Sequence, residues 1–454
     1  MDIINPATGK LITTLKTDTK ESIANKVKKL KLGQVEWFKQ PIQMRLVCIT
    51  SFKNKLLTNI EKYAHDLTSE VGKPLFESIN EINAACERID FFINNVEEVL
   101  DVEKFGTDTA TVEELSYEPL GVIANISAWN YPYLVGVNVI IPALLCGNAV
   151  LYKPSEYASL TGLNIESVMR DSGISEDVFS CVIGAREVGQ AILNENLDGY
   201  YFTGSKQTGI SIAQQVASKL VPIGLELGGK DPAYVTECND DIDAIAESLV
   251  SGAFYNNGQS CCSVERIYVH TKFFDKFVES FVKHTKKLVV GLPTDNGVTN
   301  GAITRYQHLS FLKSQVDDAV SKGAKILAGG DIIKTEGSFF EPTVLVNVND
   351  SMSIMNEESF GPIIGIQKVE SDDEAIKLMN DSEYGLTASV FTNDESQARN
   401  LMSKISAGNV YMNCCDRVSP NLPWAGRRFS GIGASLSKHG IYAFVQTKGW
   451  HLRK

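Results

Sequence analysis

What most constrains the fold of this chain is an alternation. Short apolar runs at residues 121–126, 149–152, 178–183 and 199–202 are each followed by helical or turn material. Runs of strand length separated by helices specify a parallel α/β sheet, since each parallel pairing needs a crossover connection and a helix supplies it. After Gly228-Gly229 a second series begins, with candidate strands over 233–235, 266–270, 344–346, 363–369, 388–391 and 408–412. Upstream of both series, apolar periodicity predicts helices over 23–32, 44–57 and 75–100. The fold class is therefore α/β, with two α/β domains joined near Gly228-Gly229 and no internal repeat.

One stretch imitates a membrane span. Residues 133–152 carry no formal charge, over a length close to that needed to cross a bilayer. Pro142 interrupts the stretch and Gly147-Asn148 punctuates it, so a buried helix ending near Cys146, a turn and a buried strand over 149–152 explain it, and no membrane partner is expected. Lys and Arg total 43 against 55 Asp and Glu, a net charge of −12, which repels nucleic acid and anionic lipid. The lysines 26, 28, 29 and 31 read as the solvated face of a helix. The N-terminal MDIINPATGK has neither a basic cap nor an apolar core, so the expected compartment is the cytoplasm, where thiols stay reduced.

That expectation bears on two adjacent thiols in Tyr255-Asn256-Asn257-Gly258-Gln259-Ser260-Cys261-Cys262-Ser263. Nine cysteines, an odd count, argue against a disulfide framework. There is no Cys-x-x-Cys and no histidine close to either Cys-Cys pair, so no metal is expected. Core packing and nucleophilic catalysis remain open. A covalent cysteine needs a base and an oxyanion donor. Glu226 precedes Cys261 by a strand and a helix, and stands between an apolar run and Gly228-Gly229; burial there raises a carboxyl pKa toward a useful value, while the alternative is a surface carboxylate. Asn130 follows the apolar run 121–126, where open α/β sheets place ligands; its amide suits an oxyanion, and its alternative is a turn former. In Phe202-Thr203-Gly204-Ser205-Lys206-Gln207-Thr208-Gly209 a strand runs into a helix, which suits a diphosphate at the helix N-terminus or a plain turn. Glu156, in Lys153-Pro154-Ser155-Glu156, can accept from both ribose hydroxyls and so favours NAD over NADP.

These pieces, in this order, resemble the NAD(P)-dependent aldehyde dehydrogenase superfamily over essentially the whole chain. The matching text runs from Asn5-Pro6-Ala7-Thr8-Gly9 through Trp129-Asn130-Tyr131-Pro132, Lys153-Pro154-Ser155-Glu156, Phe202-Thr203-Gly204-Ser205, Glu226-Leu227-Gly228-Gly229-Lys230, Gly258-Gln259-Ser260-Cys261 and Glu358-Ser359-Phe360-Gly361-Pro362 to Ser430-Gly431. The resemblance implies that Cys261 attacks an aldehyde, that the Asn130 side chain and the Cys261 amide hold the oxyanion, and that Glu226 activates the water that hydrolyses the thioester. It implies that Lys153, Glu156 and Ser205 hold the adenosine and phosphate end of NAD, or of NADP as the family's other option. Trp129, Gly204 and Gly209 complete the cofactor site, Glu358 holds the nicotinamide ribose, and Phe360 flanks the nicotinamide. The implied fold is a Rossmann-like cofactor domain (1–103 and 122–228), an α/β catalytic domain (229–435) and a small β bridging element (104–121 and 436–454) that makes homodimers or homotetramers.

The chain departs from the family pattern at Ala128, at Ala425-Gly426, and at Ala434-Ser435 where Arg-Glu is usual. The spacing from Glu226 to Cys261 is one residue longer than usual, and the compact length resembles the succinate-semialdehyde dehydrogenase-like branch. The loop 413–418 matches the region lining the aldehyde tunnel, so Arg417, with Cys415 beside it, is a candidate for pairing with a substrate carboxylate such as that of succinate semialdehyde; its alternative is a solvated loop arginine. Two other activities compete with aldehyde oxidation to the acid. Coenzyme-A-acylating oxidation is disfavoured by Glu226, and a cysteine-dependent thioester or ester hydrolase by the cofactor motifs at Lys153, Gly204 and Glu358. Cys262 reads as a packed neighbour, one able to trap a sulfenic acid on Cys261. Substitution of Cys261 by Ala is expected to abolish reduced-cofactor formation while Cys262→Ala largely spares it; equal loss in the two variants contradicts the assignment.

Overall fold

The computed structural model describes residues 1–105 and 111–453. The N-terminal third is helical for local reasons. Thr19 and Ser22 cap each other reciprocally, Thr19 N donating to Ser22 Oγ (2.8 Å) and Ser22 N to Thr19 Oγ1 (3.1 Å), which starts the helix Lys20–Lys39 three residues before the apolar stripe and satisfies two orphan donors. The stripe itself, Ile23, Val27 and Leu30, is buried. Helices Ile42–Thr58, Ile60–Val71 and Leu75–Leu100 follow. Ile60–Val71 was not among the expected helices, whereas Leu75–Leu100 has the expected bounds. The uncharged stretch forms the buried helix Pro132–Leu145 and the strand Ala149–Lys153.

The first sheet runs in the order Gly431–Ile432, Ile223–Glu226, Gly199–Thr203, Val122–Ile126, Ala149–Lys153, Phe179–Cys181. All pairs are parallel except the edge strand Gly431–Ile432, which is antiparallel to Ile223–Glu226. The chain builds outward from Val122–Ile126 on one side, then returns to build on the other. Its order therefore reverses between Val122–Ile126 and Gly199–Thr203, and at such a switch point the strand ends splay to leave a ligand crevice. Asn130 and Gly204 lie just past those two ends.

The second sheet runs Lys325–Ala328, Thr343–Val346, Ile363–Val369, Val264–His270, Asp231–Val235, Thr387–Phe391, Asn409–Met412. It is parallel apart from the antiparallel edge Lys325–Ala328. Side chains alternate between two cores: Ala233 and Val235 pack on one face with Ile267 and Val269, and Tyr234 and Tyr268 on the other, as the twofold period of a strand requires. A third, antiparallel sheet pairs Val445–Arg453 with Thr111–Pro119 and Glu103–Phe105. Residues 106–110 and 454, within the expected bridging element, lie outside the described residues. The α/β expectation holds; the third sheet falls in the expected bridging element, while the antiparallel edge strands Gly431–Ile432 and Lys325–Ala328 were not expected.

Candidate active site

The helix Ile242–Phe254 ends in a turn whose backbone is left-handed at three successive residues, Asn256 (φ 50°), Asn257 (φ 56°) and Gly258 (φ 66°). Asparagine tolerates that region and glycine occupies it without strain; at Gly258 a Cβ would also lie 2.5 Å from the Gly361 carbonyl oxygen. The turn is fixed from several sides. Asn256 N donates to Glu77 Oε1 (3.2 Å) and Asn257 Nδ2 to the Gly301 carbonyl (3.0 Å). Gln259 Oε1 accepts from Thr304 N (3.0 Å). Cys261 thereby enters a cleft of about 760 Å³, three residues before the buried strand Val264–His270. Cys262 points away from it, buried, its Sγ donating to Asp416 Oδ1 (3.0 Å). The adjoining Cys261 thiol, burial and Asp416 all push the Cys262 pKa up, so it stays a thiol, the unreactive form.

Asn130 and Glu226 line the same cleft. Asn130 is buried, its Nδ2 donating to the Gln259 carbonyl (3.1 Å). Its own carbonyl accepts from Lys73 Nζ (2.6 Å) and Asn256 Nδ2 (3.2 Å). Lys73 in turn pairs with Glu81 at 2.6 Å, both side chains sealed, and Glu81 Oε1 accepts from Tyr133 N (2.8 Å). Glu226 ends the strand Ile223–Glu226. Its Oε1 accepts from Ser435 Oγ (3.1 Å), and its Oε2 is sealed without a partner. Burial pushes its pKa up to about 8, with the Ser435 hydroxyl pulling back toward the carboxylate. That combination suits a general base working near neutrality.

Trp129, Lys153, Glu156, Gly204 and Ser205 form one wall of the cleft, and Glu358 and Phe360 close it. Lys153 is buried and stands 3.9 Å from Glu156; burial lowers its pKa. Ser205 precedes the helix Lys206–Val216, whose unpaired first-turn N–H groups and dipole favour an anion. Gly209 lies within that helix against Leu227, outside the cleft lining. Glu358 accepts from Gly229 N (3.2 Å) and presses on Gly228 so closely that a Cβ there would lie 2.1 Å from Oε1. Burial, then the neighbouring Glu265, raises its pKa to about 8. Phe360 meets Trp129 edge to face at 5.4 Å. Its backbone is left-handed (φ 48°) and is held there by Glu265, whose carboxylate accepts from Ser359 N (2.8 Å), Phe360 N (2.9 Å) and Lys230 Nζ (2.6 Å).

The two substrate candidates fall elsewhere. Cys415 is buried in the core of the second sheet, its Sγ donating to the Ser248 carbonyl at 3.7 Å. Arg417 is exposed, and its carbonyl accepts from the Tyr411 hydroxyl. Sequence reading also overlooked Lys73, Glu77, Glu81, Glu265, Ser435 and Arg305, the last a cleft residue beside Tyr157. One signal existed: Glu77, Glu81 and Arg88 interrupt the apolar face of Leu75–Leu100, and charges on a buried stripe need partners.

The aldehyde dehydrogenase family model matches residues 1–449. Among curated relatives, aminoaldehyde dehydrogenase 1 of Pisum sativum is 32% identical over 98% of this chain and 91% of its own length. The NADP-dependent succinate-semialdehyde dehydrogenase of Deinococcus radiodurans is 30% identical over 98% and 93%. The crystal structure of betaine aldehyde dehydrogenase from Staphylococcus aureus in complex with NAD+ superposes with a TM-score of 0.96, at 30% identity, over 100% of this chain and 92% of that one. Because Glu226 must be ionised to act as a base, turnover limited by hydrolysis should rise as pH increases through about 8. Ser435→Ala removes the hydrogen bond that favours the carboxylate, so the acidic limb of the kcat profile should move to higher pH and kcat at pH 7 should fall about three- to tenfold. A limb that does not move contradicts this role for Ser435.

Proposed function

The chain belongs to the aldehyde dehydrogenase family and oxidises aldehydes with a nicotinamide dinucleotide; from that premise we propose that it converts its aldehyde to the carboxylic acid through a covalent thioester on Cys261. The observation that carries this reading is the convergence of Cys261, Asn130 and Glu226 on one cleft whose other wall is built from Lys153, Gly204, Ser205 and Glu358. The residues fit a dinucleotide: a helix N-terminus at Ser205, a lysine and glutamate pair at and just past the end of the strand Ala149–Lys153, and a carboxylate, Glu358, packed on the bare backbone of Gly228. When bound, the nicotinamide supplies the hydride acceptor. Glu156 favours NAD, whose ribose hydroxyl it can accept from, over NADP, whose phosphate it repels.

The chain's own groups then account for the bonds that form and break once the Cys261 thiol has lost its proton to solvent. The Cys261 thiolate attacks the carbonyl carbon, and the negative charge moves to the oxygen, where the Asn130 amide and the Cys261 N–H donate to it. Loss of hydride restores the carbonyl as a thioester. Glu226 takes a proton from water, the resulting hydroxide adds to the thioester, and the thiolate leaves as the acid forms. A hydrolytic base in this place disfavours coenzyme-A-acylating chemistry, and a complete dinucleotide cleft disfavours a simple cysteine hydrolase.

The first sheet, apart from its edge strand Gly431–Ile432, serves with the N-terminal helices as the cofactor domain (1–103 and 122–228), and the second sheet as the catalytic domain (229–435). We read the antiparallel sheet of Val445–Arg453, Thr111–Pro119 and Glu103–Phe105 as the assembly surface of a homodimer or homotetramer, on the strength of the exposed Phe105, Trp450 and Leu452. No helix among the described residues is long and apolar enough to cross a membrane. All nine cysteines are free, which fits a reducing compartment such as the cytoplasm. Incubation with a panel of aldehydes and either NAD or NADP, followed by absorbance of the reduced cofactor and identification of the product, should give the acid with NAD preferred. Absence of reduced cofactor with every aldehyde sinks the reading, and an acyl-CoA product would favour the acylating alternative.

A further inference from the structure

Residues 304–308 lead into the helix His308–Ser321, whose Leu309, Leu312 and Val316 pack into a core of the second sheet. Two of them, Arg305 and His308, line the cleft that holds Cys261, Lys153 and Ser205. The segment is tied down at both ends. Thr304 N donates to Gln259 Oε1 of the nucleophile turn (3.0 Å), and Thr304 Oγ1 donates to the Val71 carbonyl (2.6 Å). His308 N donates to the Arg305 carbonyl (2.9 Å), and His308 Nε2 donates to the Ser359 carbonyl (2.8 Å), next to Phe360. The backbone of Arg305 is therefore fixed with respect to both Cys261 and Phe360.

The Arg305 side chain reaches from this wall to the other. Its guanidinium lies over the ring of Tyr157, 5.9 Å from the centroid. Tyr157 meets Trp129 edge to face at 6.5 Å, as Trp129 meets Phe360 at 5.4 Å. Trp129 and Tyr157 follow neighbouring strands of the first sheet, Val122–Ile126 and Ala149–Lys153, so a cation carried by one wall stands on rings that belong to the other. A ring face holds a guanidinium by its plane and leaves its N–H edge free. That edge is unused: Arg305 is exposed, and among the described residues its guanidinium donates no hydrogen bond and pairs with no carboxylate.

Charge decides what that edge is for. Three acids, Glu156, Glu226 and Glu358, line the cleft against three cations, Lys153, Arg186 and Arg305, in a chain whose net charge is −12. A diphosphate brings further negative charge, and the N–H groups that open the helix Lys206–Val216 supply only partial positive charge to meet it. Lys153 is already answered, 3.9 Å from Glu156 and with its Nζ donating to the Pro154 carbonyl (3.2 Å). Arg186 opens a helix beyond the edge strand Phe179–Cys181, three strands from Gly199–Thr203 and the Ser205 that follows it, about 14 Å at the usual strand spacing. Arg305 stands between them, over Tyr157, and is unpaired. We propose that Arg305 is a cofactor-binding residue that, from the side of the second sheet, places two N–H donors on the diphosphate of the dinucleotide, across from the helix N-terminus at Ser205. A planar fork suits neighbouring phosphate oxygens better than a point charge does. The inference rests on the cleft being a dinucleotide site, and it adds that the two walls grip the same diphosphate.

The test reads binding on the full-length protein and needs no turnover. NAD and ADP-ribose, which share the diphosphate, are titrated by calorimetry into wild type and Arg305→Gln; adenosine, which lacks it, is measured by competition with NAD. Arg305→Gln should weaken NAD and ADP-ribose alike by about tenfold and leave adenosine within about twofold. Arg305→Lys, which keeps the charge and loses the fork, should fall between. Added salt should weaken NAD binding more steeply in wild type than in Arg305→Gln. The melting temperature without cofactor should stay the same, since the side chain removed is exposed. Unaltered binding of NAD and ADP-ribose would make Arg305 a solvated arginine and overturn the proposal. So would a loss with NAD but not with ADP-ribose, which would put the side chain on the nicotinamide half, or an equal loss with adenosine, which would mark a general disturbance of the cleft. A wild type that binds neither NAD nor ADP-ribose would sink the dinucleotide reading itself and this proposal with it, whereas a wild type that binds both and a variant that binds them equally well would sink the proposal alone.

Discussion

The site hangs on a pair of charges removed from water. Lys73 and Glu81 meet at 2.6 Å with both side chains sealed, an arrangement that is tolerated only when every remaining donor and acceptor is used. They are used on the chemistry: Lys73 fixes the carbonyl of Asn130, and Glu81 holds Tyr133 N at the start of the helix that follows it. The helix that carries Glu81, Leu75–Leu100, reaches the turn before Cys261 through Glu77. A long amphipathic helix thus sets the position of Asn130, the proposed oxyanion donor, and of the turn bearing the thiol together, and a break in that pair would leave a buried charge costing about 3–5 kcal/mol.

A second buried pair does the corresponding work across the cleft. Lys230 and Glu265 pair at 2.6 Å, and Glu265 also takes the N–H groups of Ser359 and Phe360, which keeps Phe360 in a backbone conformation that it would otherwise avoid. Between the two pairs lie two carboxyls, Glu226 and Glu358, with their pKa values raised to about 8 for partly different reasons: burial alone for Glu226, burial and the charge of Glu265 for Glu358. Burial tunes one toward proton transfer, while the other is tied to Gly229 N at a closing wall.

Much of this was legible in the sequence. The strand and helix alternation and the uncharged helix with Pro142 could be read because patterning and strand ends are local properties, and the three candidates that motif spacing singled out, Cys261, Glu226 and Asn130, line one cleft. Long-range partners could not. Lys73, Glu81 and Glu265 look like ordinary surface charges in one dimension, since only tertiary packing decides that they are sealed. The strand Ile223–Glu226 is short and ends in the charged residue it serves to position. Ser435 was visible only as a departure from the family's Arg-Glu, and its contact with Glu226 depends on the edge strand Gly431–Ile432 folding back along Ile223–Glu226. The polar turn before the two thiols also gains a reason: Asn256, Asn257 and Gly258 are the residue types that a triple left-handed backbone accepts.

The central claim is that Cys261 carries the acyl group and Glu226 releases it. Mixing Glu226→Gln with aldehyde and NAD, then following reduced cofactor and the mass of the protein, separates the two steps. The account predicts a burst of about one equivalent of reduced cofactor per site, little steady turnover, and an acyl adduct on the peptide at Cys261. A burst without an adduct, an adduct on Cys262, or undiminished steady turnover would contradict it.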